Sequence, residues 1–358
     1  MPLDEPGWWY ATEQDTRQRL LAPLARLYGS LVERRFRKTQ AYRSRFPVIC
    51  VGNFTAGGTG KTPLSIHIAR RLLTAGLKPV FLTRGYGGKE RGPVWVEPCD
   101  DAAWRFGDEP LLLARVAPTL VARDRREGAR FLEDSGLAFS AIVMDDGLQN
   151  PALIKDLSIA VVDGRRGLGN GEVIPAGPLR APLEFQLSLA DAIVVREALA
   201  DPDGKARDIH AILRHDFPGP VMVAHTEPHG DTTWLQETRV VAFAGIAAPE
   251  RFFGLLERLG AQIVDKIAFA DHHPYTRADA DRLLKLAQKS DCCLVTTEKD
   301  WVRLDETKAP LALLRNEART LAIELALEPR DDGRLASLIE AATSDTTYPR
   351  RTQRPPQL

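Results

Sequence analysis

The sequence predicts an α/β protein built on a parallel sheet, and three features carry that reading. From Pro47 onward short apolar runs alternate with stretches of helical period, the pattern of strands joined by crossover helices. The strand Val48 to Val51 runs straight into a glycine-rich turn, Gly52-Asn53-Phe54-Thr55-Ala56-Gly57-Gly58-Thr59-Gly60-Lys61-Thr62, and a helix opens at once. A polar, proline-containing region then precedes a second α/β stretch, and 358 residues suffice for two cores.

Residues 1–45 precede this pattern. Between Arg17 and Arg45 lie nine Arg or Lys and one acid, Glu33. Pro23 suits a first helical turn, and Leu24, Leu27, Tyr28, Leu31 and Val32 then recur at helical spacing, which predicts an amphipathic helix. Such a helix either docks on the adjoining domain with its charges in water or meets an anionic membrane surface; Trp8, Trp9 and Tyr10 nearby suit the second. Expected strands follow at Val48 to Val51, Pro79 to Leu82, Thr119 to Ala122, Ala141 to Met144, Ile159 to Val162 and Ala192 to Val195. Expected helices include Thr62 to Ala75, Pro110 to Val116 and Arg125 to Glu133. A smaller second domain is expected over 196–345, with strands near Val221 to Ala224, Val240 to Ala244, Cys292 to Thr296 and Thr320 to Leu325. The first domain covers 46–195, and 346–358 reads as a loose tail.

Forty-eight basic and 48 acidic residues cancel, so nothing in the whole-molecule charge draws the chain to nucleic acid, and no obligate protein partner is indicated. Cys50, Cys99, Cys292 and Cys293 form no CxxC pair, which suits a reducing cytoplasm. No stretch approaches the roughly 20 apolar residues of a membrane span, and Asp4 and Glu5 stand where a secretory signal carries positive charge. The chain is expected to be neither exported nor membrane-spanning.

The chemistry starts at the glycine-rich turn. A strand, a flexible loop and a helix N-terminus are the setting of a P-loop, in which Thr55, Ala56, Gly57, Gly58, Thr59 and Gly60 turn backbone N–H groups toward phosphate. Lys61 is expected to reach the β- and γ-phosphates and the Thr62 hydroxyl to ligate Mg²⁺, which makes ATP and Mg²⁺ the implied cofactors. Thr55 occupies the place of the usual leading glycine. A P-loop needs a carboxylate at a neighbouring strand end for the metal, and Asp145 and Asp146 supply it after Ala141 to Met144. Asp108, before a Leu-rich helix, is either a helix cap or a reactive carboxylate. Asp271-His272-His273-Pro274 reads as an ordinary turn or as a base assembly.

Taken together, Gly57 to Pro63, Thr83-Arg84-Gly85-Tyr86-Gly87, Gly107-Asp108-Glu109-Pro110, Asp145-Asp146-Gly147-Leu148-Gln149, Gly169 to Arg180, Asp271-His272 and Thr297-Glu298-Lys299-Asp300 resemble the tetraacyldisaccharide 4'-kinase family of the lipid A pathway. The similarity runs in order over about residues 20 to 305. It implies transfer of the ATP γ-phosphate to the 4'-hydroxyl of a tetraacyldisaccharide 1-phosphate, at the cytoplasmic face of the inner membrane, by a peripheral enzyme. It also implies that Asp108 activates the hydroxyl, helped by His272 with Asp271 behind it. Arg180 would stabilise phosphate charge, while Tyr86, Arg125, Gln149 and Asn170 would lie toward substrate. The family pattern has a Glu after that Arg, where this chain has Ala181; Glu184 or an aspartate at the phosphate site would have to serve. The rival readings are another P-loop ATPase or ATP-dependent ligase with a membrane-docking helix, and a binding module without turnover. Thr297-Glu298-Lys299-Asp300 lacks the Asn-Lys-x-Asp spacing of GTP-specific proteins.

Overall fold

The structure, a computed structural model, describes residues 5–11, 15–97, 99, 101–197 and 205–344. The expected tail over 346–358 lies outside them. Two compact units form, one from Met1–Arg84, Ala122–Thr226 and Leu325–Leu358, the other from Gly85–Val121 and Glu227–Glu324. This differs from a single division near residue 195. The chain leaves the first unit after Arg84 and returns at Ala122, and neither crossing is marked by a change of composition.

In the first unit, Val48–Asn53 lies between Leu157–Asp163 and Ala141–Asp145, and all three run parallel. Pro79–Thr83 pairs parallel on the far side of Ala141–Asp145, and Ala192–Glu197 on the far side of Leu157–Asp163, followed by Val221–Pro228. Every residue of Val48–Asn53, Ala141–Asp145 and Leu157–Asp163 is buried. That explains their continuous apolar runs, because helices cover both faces of a parallel sheet. Loops at the carboxyl ends of such central strands are where ligands bind. Here those ends carry Asn53, which opens the phosphate loop, and Asp145.

The second unit holds a four-stranded parallel sheet in the order Gln262–Ala268, Arg239–Ala244, Cys293–Thr297 and Arg319–Leu321. Helices Pro249–Arg258 and Arg277–Ser290 bury Phe252, Phe253, Leu256, Ala280 and Leu283 on its two faces. Thr276 caps the second of these reciprocally with Asp279.

The N-terminal helix starts earlier than Pro23 suggests, spanning Thr16–Lys38 with the Asp15 carboxylate accepting from the Arg17 N–H. Pro23 is accommodated inside it at an exposed position. The helix docks through its small side, Ala25 and Gly29, and through Phe36, which meets Phe185 edge-on at 5.3 Å beside Ala181. Gly29 allows the close approach there: a Cβ would stand 3.1 Å from Pro182 Cγ. Val32 joins the docked side, but Leu20, Leu24, Leu27 and Leu31 are 54–73% exposed and Tyr28 41%.

Candidate active site

The phosphate loop is built as its glycines require. Gly60, at φ 91°, turns the chain into the helix Lys61–Thr74, and Asn53 Nδ2 donates to the Thr55 carbonyl at 2.7 Å, pinning the loop from below. Thr59, Lys61 and Thr62 are buried, and among the described residues the Thr59 hydroxyl has no hydrogen-bond partner. A buried hydroxyl left in this way is costly unless something fills the place, and a phosphate oxygen would. Lys61 Nζ lies 3.7 Å from Asp146 Oδ1. Arg180 Nη1 binds the same oxygen at 2.7 Å while its Nε donates to the Thr55 carbonyl at 2.9 Å. Ser65 Oγ donates to Asp145 Oδ1 at 2.7 Å. The structure therefore brings Lys61, Thr62, Asp145, Asp146 and Arg180 together on one loop system.

Asp146 adopts φ 52°, a left-handed conformation that costs a non-glycine residue about 1 kcal/mol. Lys155, buried, secures this turn by donating to the Leu148 carbonyl at 3.0 Å and the Asn150 carbonyl at 2.6 Å; burial pushes its ammonium down to about 8. A further unexpected group is Glu5, held by Tyr10 Oη at 2.9 Å and Arg166 Nη1 at 2.8 Å. Its carboxylate lies so close over Gly57 that a Cβ there would stand 1.6 Å from Oε1.

Three residues expected toward substrate are engaged in structure. Arg125 is 1% exposed and spends its guanidinium on the carbonyls of Ala122, at 2.5 Å, and Asp145, at 3.3 Å. Burial lowers its pKa to about 10 although Asp146 and Asp145 lie near. Gln149 Nε2 donates to the Asn53 carbonyl and to Gln186 Oε1, each at 2.6 Å. Asn170 donates to the Ala176 carbonyl at 2.9 Å, while its backbone N–H is taken by the Trp9 carbonyl at 2.8 Å. Ala181 is buried in the cluster with Phe36 and Phe185, and Glu184 is exposed on Leu183–Leu189. The acid beside the phosphate loop's lysine and Arg180 is thus Asp146.

In the second unit Asp108 is not an ordinary cap. It is the first residue of Asp108–Ala114, and its Oδ1 accepts only the next N–H, that of Glu109 at 2.9 Å. Oδ2 accepts from His272 Nδ1 at 3.0 Å and from Arg303 Nε at 2.9 Å, with Lys299 Nζ 3.7 Å away. Gly107 allows this placement: at φ 89° it passes so near Tyr86 that a Cβ would stand 2.2 Å from the Tyr86 carbonyl oxygen. His272, at φ 57°, anchors its N–H on the Gly245 carbonyl at 3.1 Å, and Asp271 Oδ2 stands 3.8 Å from its Nε2. Tyr86, 57% exposed, tilts over the His272 ring at 6.1 Å. The group borders a cavity of about 940 Å³ that Trp104, Leu111 and Trp301 also line.

Burial alone would raise the Asp108 pKa, but the His272 hydrogen bond, Lys299 and Arg303 outweigh it and hold the carboxyl well below its usual range. Lys61 and Arg180 likewise outweigh burial at Asp146 and lower it. An ionised Asp108 can only accept, so the hydrogen-bond network places a proton on His272 Nδ1. Both carboxyls are depressed on folding, so their stabilisation is present above the unfolded value of about 3.9 and is lost as pH falls below it. The urea midpoint should therefore begin to fall near about pH 4 and keep falling below about pH 3. The drop should be shallower in Asp108→Asn; equal slopes in the two proteins would contradict the assignment.

The family model for tetraacyldisaccharide-1-P 4'-kinase matches residues 17–344. The chain belongs to the tetraacyldisaccharide-1-P 4'-kinase family. Membership makes it a lipid A pathway kinase, phosphorylating the 4' position of its disaccharide acceptor. A tetraacyldisaccharide 4'-kinase of Methylorubrum extorquens is 47% identical over 94% of this chain and 98% of its own. That of Paramagnetospirillum magneticum is 46% identical over 86% and 92%. LpxK of Aquifex aeolicus, solved in complex with ATP, superposes with a TM-score of 0.70 at 24% identity, covering 91% of this chain and 99% of its own, and so shares the fold.

Proposed function

We propose that this 4'-kinase draws its phosphate from ATP, that its phosphate loop holds the nucleotide, and that Asp108 and His272 take the proton of the acceptor hydroxyl. The observation that carries this reading is the contact of a buried carboxylate with a histidine, Asp108 Oδ2 to His272 Nδ1 at 3.0 Å, beside a cavity. ATP use is supported by the loop, its buried Lys61 and the partnerless Thr59 hydroxyl, and by the ATP complex of the Aquifex aeolicus protein. In the reaction the 4'-oxygen forms a bond to the γ-phosphorus as the bond to the β–γ bridging oxygen breaks. A sugar hydroxyl keeps its proton until late in a loose transition state, so an aligned acceptor of modest basicity suffices. Lys61 and Arg180 stand ready to offset charge on the transferring group.

Hard oxygen donors suit Mg²⁺, and Thr62, Asp145 and Asp146 supply them. Among the described residues no group of three or more His, Cys, Asp or Glu could cage a metal. That agrees with an ion that takes one or two carboxylates and leaves its remaining positions to phosphate and water. When bound, Mg²⁺ would neutralise phosphate charge. The test is to supply ATP labelled at the γ-phosphate with tetraacyldisaccharide 1-phosphate: label should appear at the 4' position, and label released as inorganic phosphate alone would refute the reading.

The lipid acceptor also requires a meeting with a membrane surface, which we assign to Thr16–Lys38. No helix among the described residues is long and apolar enough to cross a membrane. The exposed Leu20, Leu24, Leu27 and Leu31, beside Arg34, Arg35 and Lys38, form an apolar and basic surface of the kind that lies in an anionic interface. Each nearby cation adds about 1 kcal/mol. Co-sedimentation with vesicles of anionic lipid should fall at least tenfold when Leu24, Leu27 and Leu31 become Ser, and wild-type binding should weaken with salt. Equal, salt-insensitive binding by both proteins would remove the helix from this role.

A further inference from the structure

Beyond Lys299, the motif Thr297-Glu298-Lys299-Asp300 leads to Arg303, whose side chain is only 6% exposed. Arg303 Nε donates to Asp108 Oδ2 at 2.9 Å, and Nη2 makes a second short contact to the same oxygen. Nη1 donates to the Gly245 carbonyl at 2.6 Å and to Asp300 Oδ1 at 2.9 Å. Asp300 is itself fully buried. Its Oδ1 also accepts from the Gly245 N–H and Tyr275 Oη, each at 2.9 Å, and its Oδ2 from Thr297 Oγ1 at 2.6 Å. The guanidinium is thus gripped on one side by a fully satisfied carboxylate and presents its remaining edge to Asp108.

We propose that Arg303 is a positioning residue for the kinase reaction: braced by Asp300, Tyr275 and Thr297, it fixes the orientation and charge of Asp108 and thereby sets the tautomer of His272. This inference rests on the proton-accepting role of Asp108 and His272 proposed above. Two arguments support it. First, Oδ2 receives both the guanidinium and the imidazole, so the carboxylate cannot turn away without breaking both. Second, Gly245 offers its N–H to Asp300 and its carbonyl to Arg303 and to the His272 N–H, so one residue registers the Asp300 and Arg303 side chains against the His272 backbone. A lysine could supply the charge but not the planar fork.

The groups facing Asp108 are His272, Arg303 and Lys299, with Glu109, Asp271 and Asp300 one layer out. Removing the Arg303 cation takes away one attraction for the ionised carboxylate and one repulsion of an imidazolium. Both changes favour the protonated pair.

The test compares Arg303→Lys, Arg303→Gln and Asp108→Asn in the full chain, with ATP and tetraacyldisaccharide 1-phosphate as substrates. Arg303→Lys should fold and lose about tenfold or more in kcat with KM for ATP unchanged. In Arg303→Gln the acid limb of the kcat profile should move to higher pH by about one unit. A loss of the same factor at every pH, or an Arg303→Lys enzyme of wild-type kcat, would overturn the proposal; the second comparison holds if the Gln variant does not fold. If the Arg303 variants behave as wild type while Asp108→Asn is inactive, only the Arg303 inference falls. If Asp108→Asn is fully active, the reading of the site falls and takes this inference with it.

Discussion

Lys61→Ala is expected to lower the rate of phosphate transfer by at least about 10²- to 10³-fold, the scale on which a preorganised charge aimed at developing negative charge acts. Lys61 is buried at the mouth of the helix Lys61–Thr74, and among the described residues the nearest anion to its ammonium is Asp146 Oδ1 at 3.7 Å. That separation is long for an ion pair with a direct hydrogen bond. Lys61 is thus poorly satisfied by the protein itself and free to follow a phosphate. Truncation removes a contact that strengthens as the transferring group gains charge, so kcat should fall further than ATP affinity. The effect on stability should be small, because Asp146 keeps Arg180 at 2.7 Å. A folded Lys61→Ala enzyme with wild-type kcat would remove Lys61 from the chemistry.

The second large effect is expected at Asp108. Asn has the same shape but no charge, and it turns an N–H₂ toward groups that are themselves donors. Asp108→Asn should lose about 10²- to 10⁴-fold in kcat, the range of a positioned acid or base, with little change in KM for ATP. Breaking one side of a buried ion pair can also cost about 3–5 kcal/mol. Arg303 keeps Asp300 at 2.9 Å, so the loss should lie below that range. Measuring kcat and the urea midpoint on the same preparation separates the two roles: a lower midpoint with undiminished kcat would make Asp108 a structural anchor only.

The phosphate loop and its flanking strand and helix were legible in the sequence because local chemistry dictates them. Glycines, Lys61, Thr62 and a fully buried Val48–Asn53 leave one arrangement. Other elements carry no such local signature. Gln262–Ala268 was missed because an edge strand exposed at Asp265 and Lys266 shows no apolar run. The expected strand Thr320 to Leu325 is two, Arg319–Leu321 and Ile323–Leu327, broken at Ala322. Asp108 and His272 could be singled out as chemical groups, but their contact spans 164 positions and depends on a crossing after Arg84 that no residue announces. Arg303 was invisible for the same reason: an arginine on a short turn resembles any solvated charge until its burial is known. Arg125, Gln149 and Asn170 show what a sequence cannot: their side chains donate to the backbone around the site.

Coupling of ATP consumption to a lipid hydroxyl is tested most directly by its stoichiometry. Purified protein, ATP, Mg²⁺ and tetraacyldisaccharide 1-phosphate in detergent micelles should yield one acceptor-bound phosphate for each ATP consumed, and ATP should persist when the acceptor is withheld. ATP consumption that proceeds unchanged without acceptor, with all phosphate released to solvent, would contradict the account.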